Sequence, residues 1–171
     1  IDYIFTDPPF GANLMYSELN LLHETWLKVI TNNEEEAITN RHQGKSLLDY
    51  QSLMSDCFSE GFRILKPGKW MTVEFSNTSA AVWNGIQTAL SGAGFIVANV
   101  AGLDRKQGSF KAVTTVTAVK QDLVISCYKP SSEFDEKFRQ NHSTDVAIWD
   151  FVEEHLHHLP IHLFSGNATT S

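Results

Sequence analysis

Four short apolar runs, rich in β-branched and aromatic residues, are spaced along the chain and are typical of buried strands. They lie at residues 1–6, 70–75, 95–100 and 123–128. Two consecutive prolines follow the first run, and a Lys-Pro pair closes the last. The pattern therefore predicts four β-strands, the first of which ends at a rigid turn because proline has a fixed φ and no N–H.

Between the first two runs, apolar residues recur every three or four positions, which is the spacing of an amphipathic helix. One such helix is predicted over residues 15–30, with its stripe formed by Met15, Leu19, Leu22, Trp26 and Val29. Residues 31–45 are polar and unpatterned, which predicts a loop. A second helix begins at Ser46, because Ser46 and Asp49 have the spacing of a capping box. Its buried face is predicted to comprise Leu47, Tyr50, Met54, Phe58, Phe62 and Leu65.

A third helix is predicted over residues 79–91, ended by Gly92 and Gly94. The connection between the last two strands exceeds twenty residues, and its valines favour strand by composition but helix by spacing. Strands alternating with helices indicate an α/β fold. The first strands require crossover helices and are predicted to be parallel, whereas the last two need not be.

The character of the chain changes after Pro130. Residues 131–143 are polar, and a C-terminal helix is then predicted from Ile148, Trp149, Val152, Leu156 and Leu159. This segment is either an appended helix or the start of another domain. The predicted organisation is one domain over residues 1–130 followed by a helical extension over residues 131–171.

Composition restricts the classes of protein further. The 171 residues carry a net charge of −7, so a nucleic-acid partner has to be sought in local basic clusters. Such clusters occur around Arg41 and Lys45, at Lys66 and Lys69, and at Arg105, Lys106 and Lys111. No apolar run reaches the roughly 18 residues of a membrane span. A cytoplasmic protein with no membrane partner is predicted, and no metal site, because neither the two cysteines nor the C-terminal histidines have ligand spacing.

The turn after the first strand, "TDPPFG", has the most informative chemistry in the sequence. In open α/β sheets, ligands bind outside the carboxyl ends of strands, which is where this turn falls. Asp7 and the carbonyls of Pro8 and Pro9 are acceptors in a segment that lacks donors. Such a set of acceptors suits an exocyclic amine, whose lone pair becomes free to attack when the acceptors hold the amine hydrogens. Phe10 offers a face for a planar ring. The alternative is that Phe10 is a core residue and the turn only ends the strand.

The "TDPPF" stretch after a short strand resembles motif IV of the S-adenosylmethionine-dependent amino-methyltransferases, which methylate N6 of adenine or N4 of cytosine. The downstream "GFRILKPGKWMTVEF" is similar to a segment of the same fold in which a helix is followed by "LKPGG" and then by a strand. Lys69 stands at a position where glycine is frequent in that segment. The resemblance covers roughly residues 1–130. It implies half of a Rossmann-like sheet of order 3-2-1-4-5-7-6, with this chain supplying strands 4, 5, 6 and 7.

The resemblance also implies roles for individual residues. Asp7 and the Pro8 carbonyl would accept hydrogen bonds from the target amine, Pro9 would hold the turn, and Phe10 would stack on the flipped base. Asp7 would in addition contact S-adenosylmethionine. An acid at the first position resembles adenine-N6 enzymes more than cytosine-N4 enzymes. The expected function is site-specific DNA methylation, of the kind found in restriction-modification systems.

Strands 1–3 and the glycine-rich motif I, which hold the cofactor in that family, have no counterpart in the sequence. The chain begins at Ile1 inside a strand-like run, so we expect it to be a piece of a longer protein. The missing half is then an expected partner. The first strand would be an open edge, which makes a homo-oligomer a further expectation.

The expected DNA contact is the segment 104–111, where Arg105, Lys106 and Lys111 can meet phosphates and Gln107 and Ser109 can bond phosphates or base edges. Two alternatives stay open. One is an RNA methyltransferase acting on guanine N2 or adenine N6, because those enzymes carry a similar turn. The other is a degenerate, non-catalytic methyltransferase half that binds another protein.

Overall fold

In the computed structural model, the described residues are 1–11, 15–77, 79–103, 122–141 and 145–159. Their contacts divide the chain into two compact units, Ile1–Pro130 and Ser131–Ser171. The first unit is α/β and contains the whole of the described sheet. The second is helical where it is described.

The four strands described in the first unit form one mixed sheet. They are β1 (Tyr3–Thr6), β2 (Trp70–Phe75), β3 (Ile96–Leu103) and β4 (Asp122–Tyr128), in the order β1-β2-β4-β3. β1 and β2 are parallel, whereas β4 is antiparallel to both β2 and β3. The last described strand, β4, is therefore inserted between β2 and β3 and runs antiparallel to the other three. The predictions of four strands, a parallel first pair and an α/β class are confirmed.

The described α-helices of the first unit are α1 (Tyr16–Leu27), α2 (Leu47–Ile64) and α3 (Ala80–Ala93). α2 begins as predicted, because the Ser46 hydroxyl accepts from the Asp49 amide while the Asp49 carboxylate accepts from the Ser46 amide at 2.7 Å. α3 ends at Gly94, which has the positive φ of a left-handed C-cap. Gly92, which was predicted to end this helix, lies inside it.

The core lies between α2, α3 and one face of the sheet. Alternate residues of β2 and β4 point into it, because the strand period is two. Its most buried members are Tyr50, Met54, Leu65, Met71, Val73, Phe75, Ile86, Leu90, Ile125 and Cys127, none more than 2% exposed. The residues of β1 that point to the other face, Tyr3 and Phe5, are 54% and 60% exposed.

α1 forms where it was predicted, but its apolar stripe is not covered. Leu19, Leu22 and Trp26 are 58%, 69% and 84% exposed, and Glu24 is the one buried residue within this fully described helix. Its ends are held by polar contacts instead. The Glu36 carboxylate accepts from the amide and the hydroxyl of Ser17, and the Glu24 carboxylate accepts from the amide and the hydroxyl of Thr31.

The second unit contains α4 (Ser132–Asn141) and α5 (Asp145–His158). α4 lies in the stretch that appeared only polar in the sequence. Phe134 is 8% exposed and lies against Phe138 and Phe151, so one aromatic residue anchors α4 despite its charged composition. The helix predicted at 148–159 is present as α5, but Ile148, Trp149 and Leu156 are exposed.

No helix in the described ranges is both long enough and apolar enough to cross a membrane. The connection between β3 and β4, at residues 104–121, lies outside the described residues.

Candidate active site

The Asp-Pro-Pro-Phe turn begins directly after Thr6, the last residue of β1. Because β1 and β2 are parallel, with Thr6 in register with Val73, the turn stands beside the segment that follows β2. Asp7 is exposed, Pro8 is buried, and Pro9 and Phe10 are half-buried. The turn therefore lies at the carboxyl edge of the sheet, where ligands of open α/β sheets bind.

Two donors from different elements hold the second half of the turn. The Tyr50 hydroxyl, from α2, donates to the Pro9 carbonyl at 2.6 Å. The Asn77 side-chain amide, from the loop after β2, donates to the Phe10 carbonyl at 2.5 Å. The Asn77 oxygen is itself held by the Ser79 amide at 2.7 Å, so the orientation of the Asn77 amide is determined. The Pro9 and Phe10 carbonyls are thus fixed and satisfied within the protein.

The first half of the turn is different. Within the part of the chain that the structure describes, neither the Asp7 carboxylate nor the Pro8 carbonyl accepts a hydrogen bond. Asp7 is exposed to solvent, and the two prolines contribute no N–H of their own. Two adjacent acceptors therefore have no donor among the described residues, while the next two are used internally. This arrangement can bind a group that offers two hydrogens, such as an amine.

Phe10 packs at the border of the core. Its ring is nearly perpendicular to that of Phe75, at 87° with the centroids 5.4 Å apart. Phe75 makes a second edge-to-face contact with Trp83 at 5.0 Å, and the Trp83 indole donates to the Asn77 carbonyl at 2.8 Å. Phe10 is a half-buried neighbour of the core, as one of the two sequence alternatives anticipated. Its stacking on a base stays a prediction.

Two phenols surround the turn, and both are kept neutral. Burial raises the pKa of Tyr16, and the negative charge of Asp7 raises it further. Burial raises the pKa of Tyr50 strongly, with a smaller contribution from Tyr16. Both shifts favour the protonated phenol, so the Tyr50 hydroxyl remains a hydrogen-bond donor throughout the neutral pH range.

Tyr50 and Asn77 were not predicted as site residues. Tyr50 was assigned to the buried face of the second helix, which is correct, but a buried tyrosine hydroxyl also requires a partner. Asn77 follows β2 at the carboxyl edge of the sheet, and a polar residue at that position was a usable signal. Neither clue identifies the Pro9 or Phe10 carbonyl as the partner.

The residues predicted to contact nucleic acid fall into two groups. Phe10 is part of the turn, whereas Arg105, Lys106, Gln107, Ser109 and Lys111 lie outside the described residues. The basic cluster at residues 41–45 is partly used internally, because the Lys45 ammonium donates to the carbonyls of Asn33 and Glu36 at 2.9 and 2.7 Å. Arg41 in the same cluster is exposed.

The histidines of α5 do not converge on a metal site in the ranges that are described, where no group of three His, Cys, Asp or Glu side chains has a suitable arrangement. A ring nitrogen of His158 instead lies 2.9 Å from the Glu154 carbonyl, one helical turn earlier.

Comparison with known proteins adds no family. A scan of the sequence against protein-family models finds no match, and a search of curated proteins finds none either.

Proposed function

We propose that this chain is the catalytic half of an S-adenosylmethionine-dependent methyltransferase that acts on the exocyclic amine of a nucleobase, with adenine N6 in DNA as the preferred target. The observation that carries the proposal is the pair of acceptors at Asp7 and Pro8, to which no described residue donates, at the carboxyl end of β1. The fixed Pro9 and Phe10 carbonyls beside them give this pair a defined orientation.

The strand order gives independent support. The resemblance implies strands 4, 5, 7 and 6 side by side. The observed order β1-β2-β4-β3 is the same, and β4 runs antiparallel to β2 and β3. In this correspondence β1 is strand 4, and its open edge is where strands 1–3 of the family would continue the sheet.

A groove beside β1 is compatible with such an addition. It has a volume of about 750 Å³ and runs between β1 and α2, with apolar residues of both elements and the charged residues Asp56, Glu60 and Arg63 in its lining. Its lining is mainly apolar, as expected of a surface that another element covers. We propose that the cofactor-binding half of the domain occupies this side of β1.

The residues of the turn fit both reactants. Asp7 and the Pro8 carbonyl accept the two hydrogens of the amine, which withdraws the nitrogen lone pair from the ring and makes it available for attack. S-adenosylmethionine, when bound, supplies a methyl group on a positively charged sulfur. The exposed Asp7 carboxylate suits that positive charge and can also take up the proton that the nitrogen loses. Phe10 supports the ring of the base, which has to leave the duplex to reach the turn.

Radiolabel transfer from S-adenosylmethionine to DNA and to RNA, measured with the complete reading frame, tests the proposal. Label in DNA supports it, label in RNA alone favours the RNA methyltransferase, and label in neither favours a non-catalytic interaction domain.

The sharpest single change is Asp7→Ala. Removing one preorganised acceptor is expected to lower kcat by roughly 10²-fold, while the affinity for S-adenosylmethionine changes much less. Asp2→Ala is the matched control, because Asp2 precedes the same strand and only forms an exposed ion pair with Lys66 at 2.9 Å. Wild-type turnover by Asp7→Ala contradicts the proposed chemistry.

A further inference from the structure

Tyr50 is among the largest fully buried side chains of the protein, at 0% exposure. A buried phenol needs a hydrogen-bond partner, and that partner is the Pro9 carbonyl at 2.6 Å. The contact joins residues 41 positions apart, so α2 reaches across to the turn through this hydroxyl. Its raised pKa keeps it in the donor form.

The contact restrains the Pro8 carbonyl as well. The two peptide planes that carry the Pro8 and Pro9 oxygens meet at the α-carbon of Pro9, and their relative orientation depends only on the φ and ψ of Pro9. The pyrrolidine ring fixes φ. A hydrogen bond that holds the Pro9 oxygen restrains ψ, and the Pro8 oxygen then has one direction. The Tyr50 hydroxyl therefore determines the direction of the Pro8 carbonyl, although it does not bond to that carbonyl.

We propose that Tyr50 is a positioning residue, which orients the Pro8 carbonyl of the acceptor pair toward the amine through its hydrogen bond to Pro9. This inference rests on the proposed function, since it assigns Tyr50 a part in the same reaction. Asn77 supports the turn one residue further on, but its bond to Phe10 acts on a peptide plane that is more distant from the acceptors.

Tyr50→Phe in the complete reading frame tests the inference, because it removes one oxygen and keeps the ring in the core. We expect kcat to fall about 10- to 100-fold, in line with the cost of a small misplacement of reacting groups. The KM for S-adenosylmethionine should remain at the wild-type value. The carbonyl ¹³C shift of a labelled Pro9 should also move, which reports loss of the hydrogen bond directly.

Ser59→Ala is the matched control. The Ser59 hydroxyl also donates to a backbone carbonyl, that of Ser55 at 2.8 Å, but Ser59 is an exposed residue of α2 and does not line the groove beside β1. It should change neither kcat nor the Pro9 shift. Should Tyr50→Phe fail to fold, Pro9→Ala releases φ at the same joint and is expected to lower kcat in the same way without altering the core.

Two results overturn the inference, namely wild-type kcat in Tyr50→Phe or an unmoved Pro9 shift. If the wild-type protein methylates neither DNA nor RNA, the proposed function has failed. The inference about Tyr50 is then tested separately by adenosine binding, which is followed at the ¹³C-labelled Pro8 carbonyl in the wild type and in Tyr50→Phe. Weaker adenosine binding by Tyr50→Phe supports it. Equal binding by both proteins, or none by the wild type, overturns it.

Discussion

Helices α1 and α2 have apolar residues at similar helical spacing, yet only α2 buries them. In α2, Tyr50, Met54 and Phe58 are at most 3% exposed. In α1, Leu22 and Trp26 are 69% and 84% exposed. A stripe of apolar side chains makes a helix capable of packing, but burial also requires a surface of matching shape.

The surfaces available to the two helices explain the difference. α2 lies against α3 and the sheet, and its Gly61 lies near β1 and β2, since a Cβ added there would be in ordinary contact with the Ile4 and Met71 side chains at 3.9 and 3.8 Å. α1 is held at its two ends by Glu36 and Glu24, which bond to Ser17 and Thr31. Apolar packing therefore stabilises α2, whereas hydrogen bonds to carboxylates hold α1 in place.

The largest effect expected from this comparison is that of Phe58→Ala in α2. Phe58 is 3% exposed, and truncating a buried phenylalanine costs roughly 3–5 kcal/mol through lost burial and the cavity left behind. Urea unfolding measures the change. Leu48→Ala is the control on the same helix, because Leu48 is 75% exposed and its loss should change the free energy of unfolding little. Equal losses in the two variants contradict the assigned faces of α2.

A smaller effect is expected at the start of α2. Ser46→Ala removes the capping hydroxyl and should lower stability by about 1 kcal/mol. Ser52→Ala, an exposed serine inside the helix, is the control and should not destabilise. A Ser52→Ala loss as large as that of Ser46→Ala would rule out the cap as the cause.

The same cap makes stability depend on pH. Hydrogen bonds from Ser46 lower the pKa of Asp49 below its ordinary value of 3.8. Because the unfolded chain binds this proton more readily, the contribution of the cap is complete above that value and is lost as the pH falls through the lowered pKa. Stability measured across the acid range should therefore fall less steeply in Ser46→Ala than in the wild type.

The smallest effect is expected in α1. Trp26→Ala removes the largest side chain of the stripe, but at 84% exposure it should change the free energy of unfolding by no more than about 0.5 kcal/mol. Thermal and urea unfolding of the variant beside the wild type measure this. A loss above about 1 kcal/mol, typical of a buried residue, would show that α1 is packed in solution and would remove the contrast with α2.

The candidate site was predicted in part. The prolines and the acid at residues 7–9 indicated a rigid acceptor turn after a strand, and that turn is present at the end of β1. The residues that hold it could not be predicted, because the Tyr50–Pro9 and Asn77–Phe10 contacts join positions 41 and 67 residues apart. Local propensity contains no information about such pairs. The predicted contacts at Arg105, Lys106, Gln107, Ser109 and Lys111 stay predictions.

The sequence by itself determined the local elements: the four strands, the capping box of α2, the glycine end of α3 and the turn at Asp7. These depend on short-range sterics and on side chains a few residues apart. Only the tertiary structure decided that α1 leaves its apolar stripe exposed, and that Tyr50 and Asn77 donate to the Pro9 and Phe10 carbonyls and not to Asp7 or Pro8. Burial and hydrogen-bond partners depend on which surfaces meet, and residues distant in the chain determine that together.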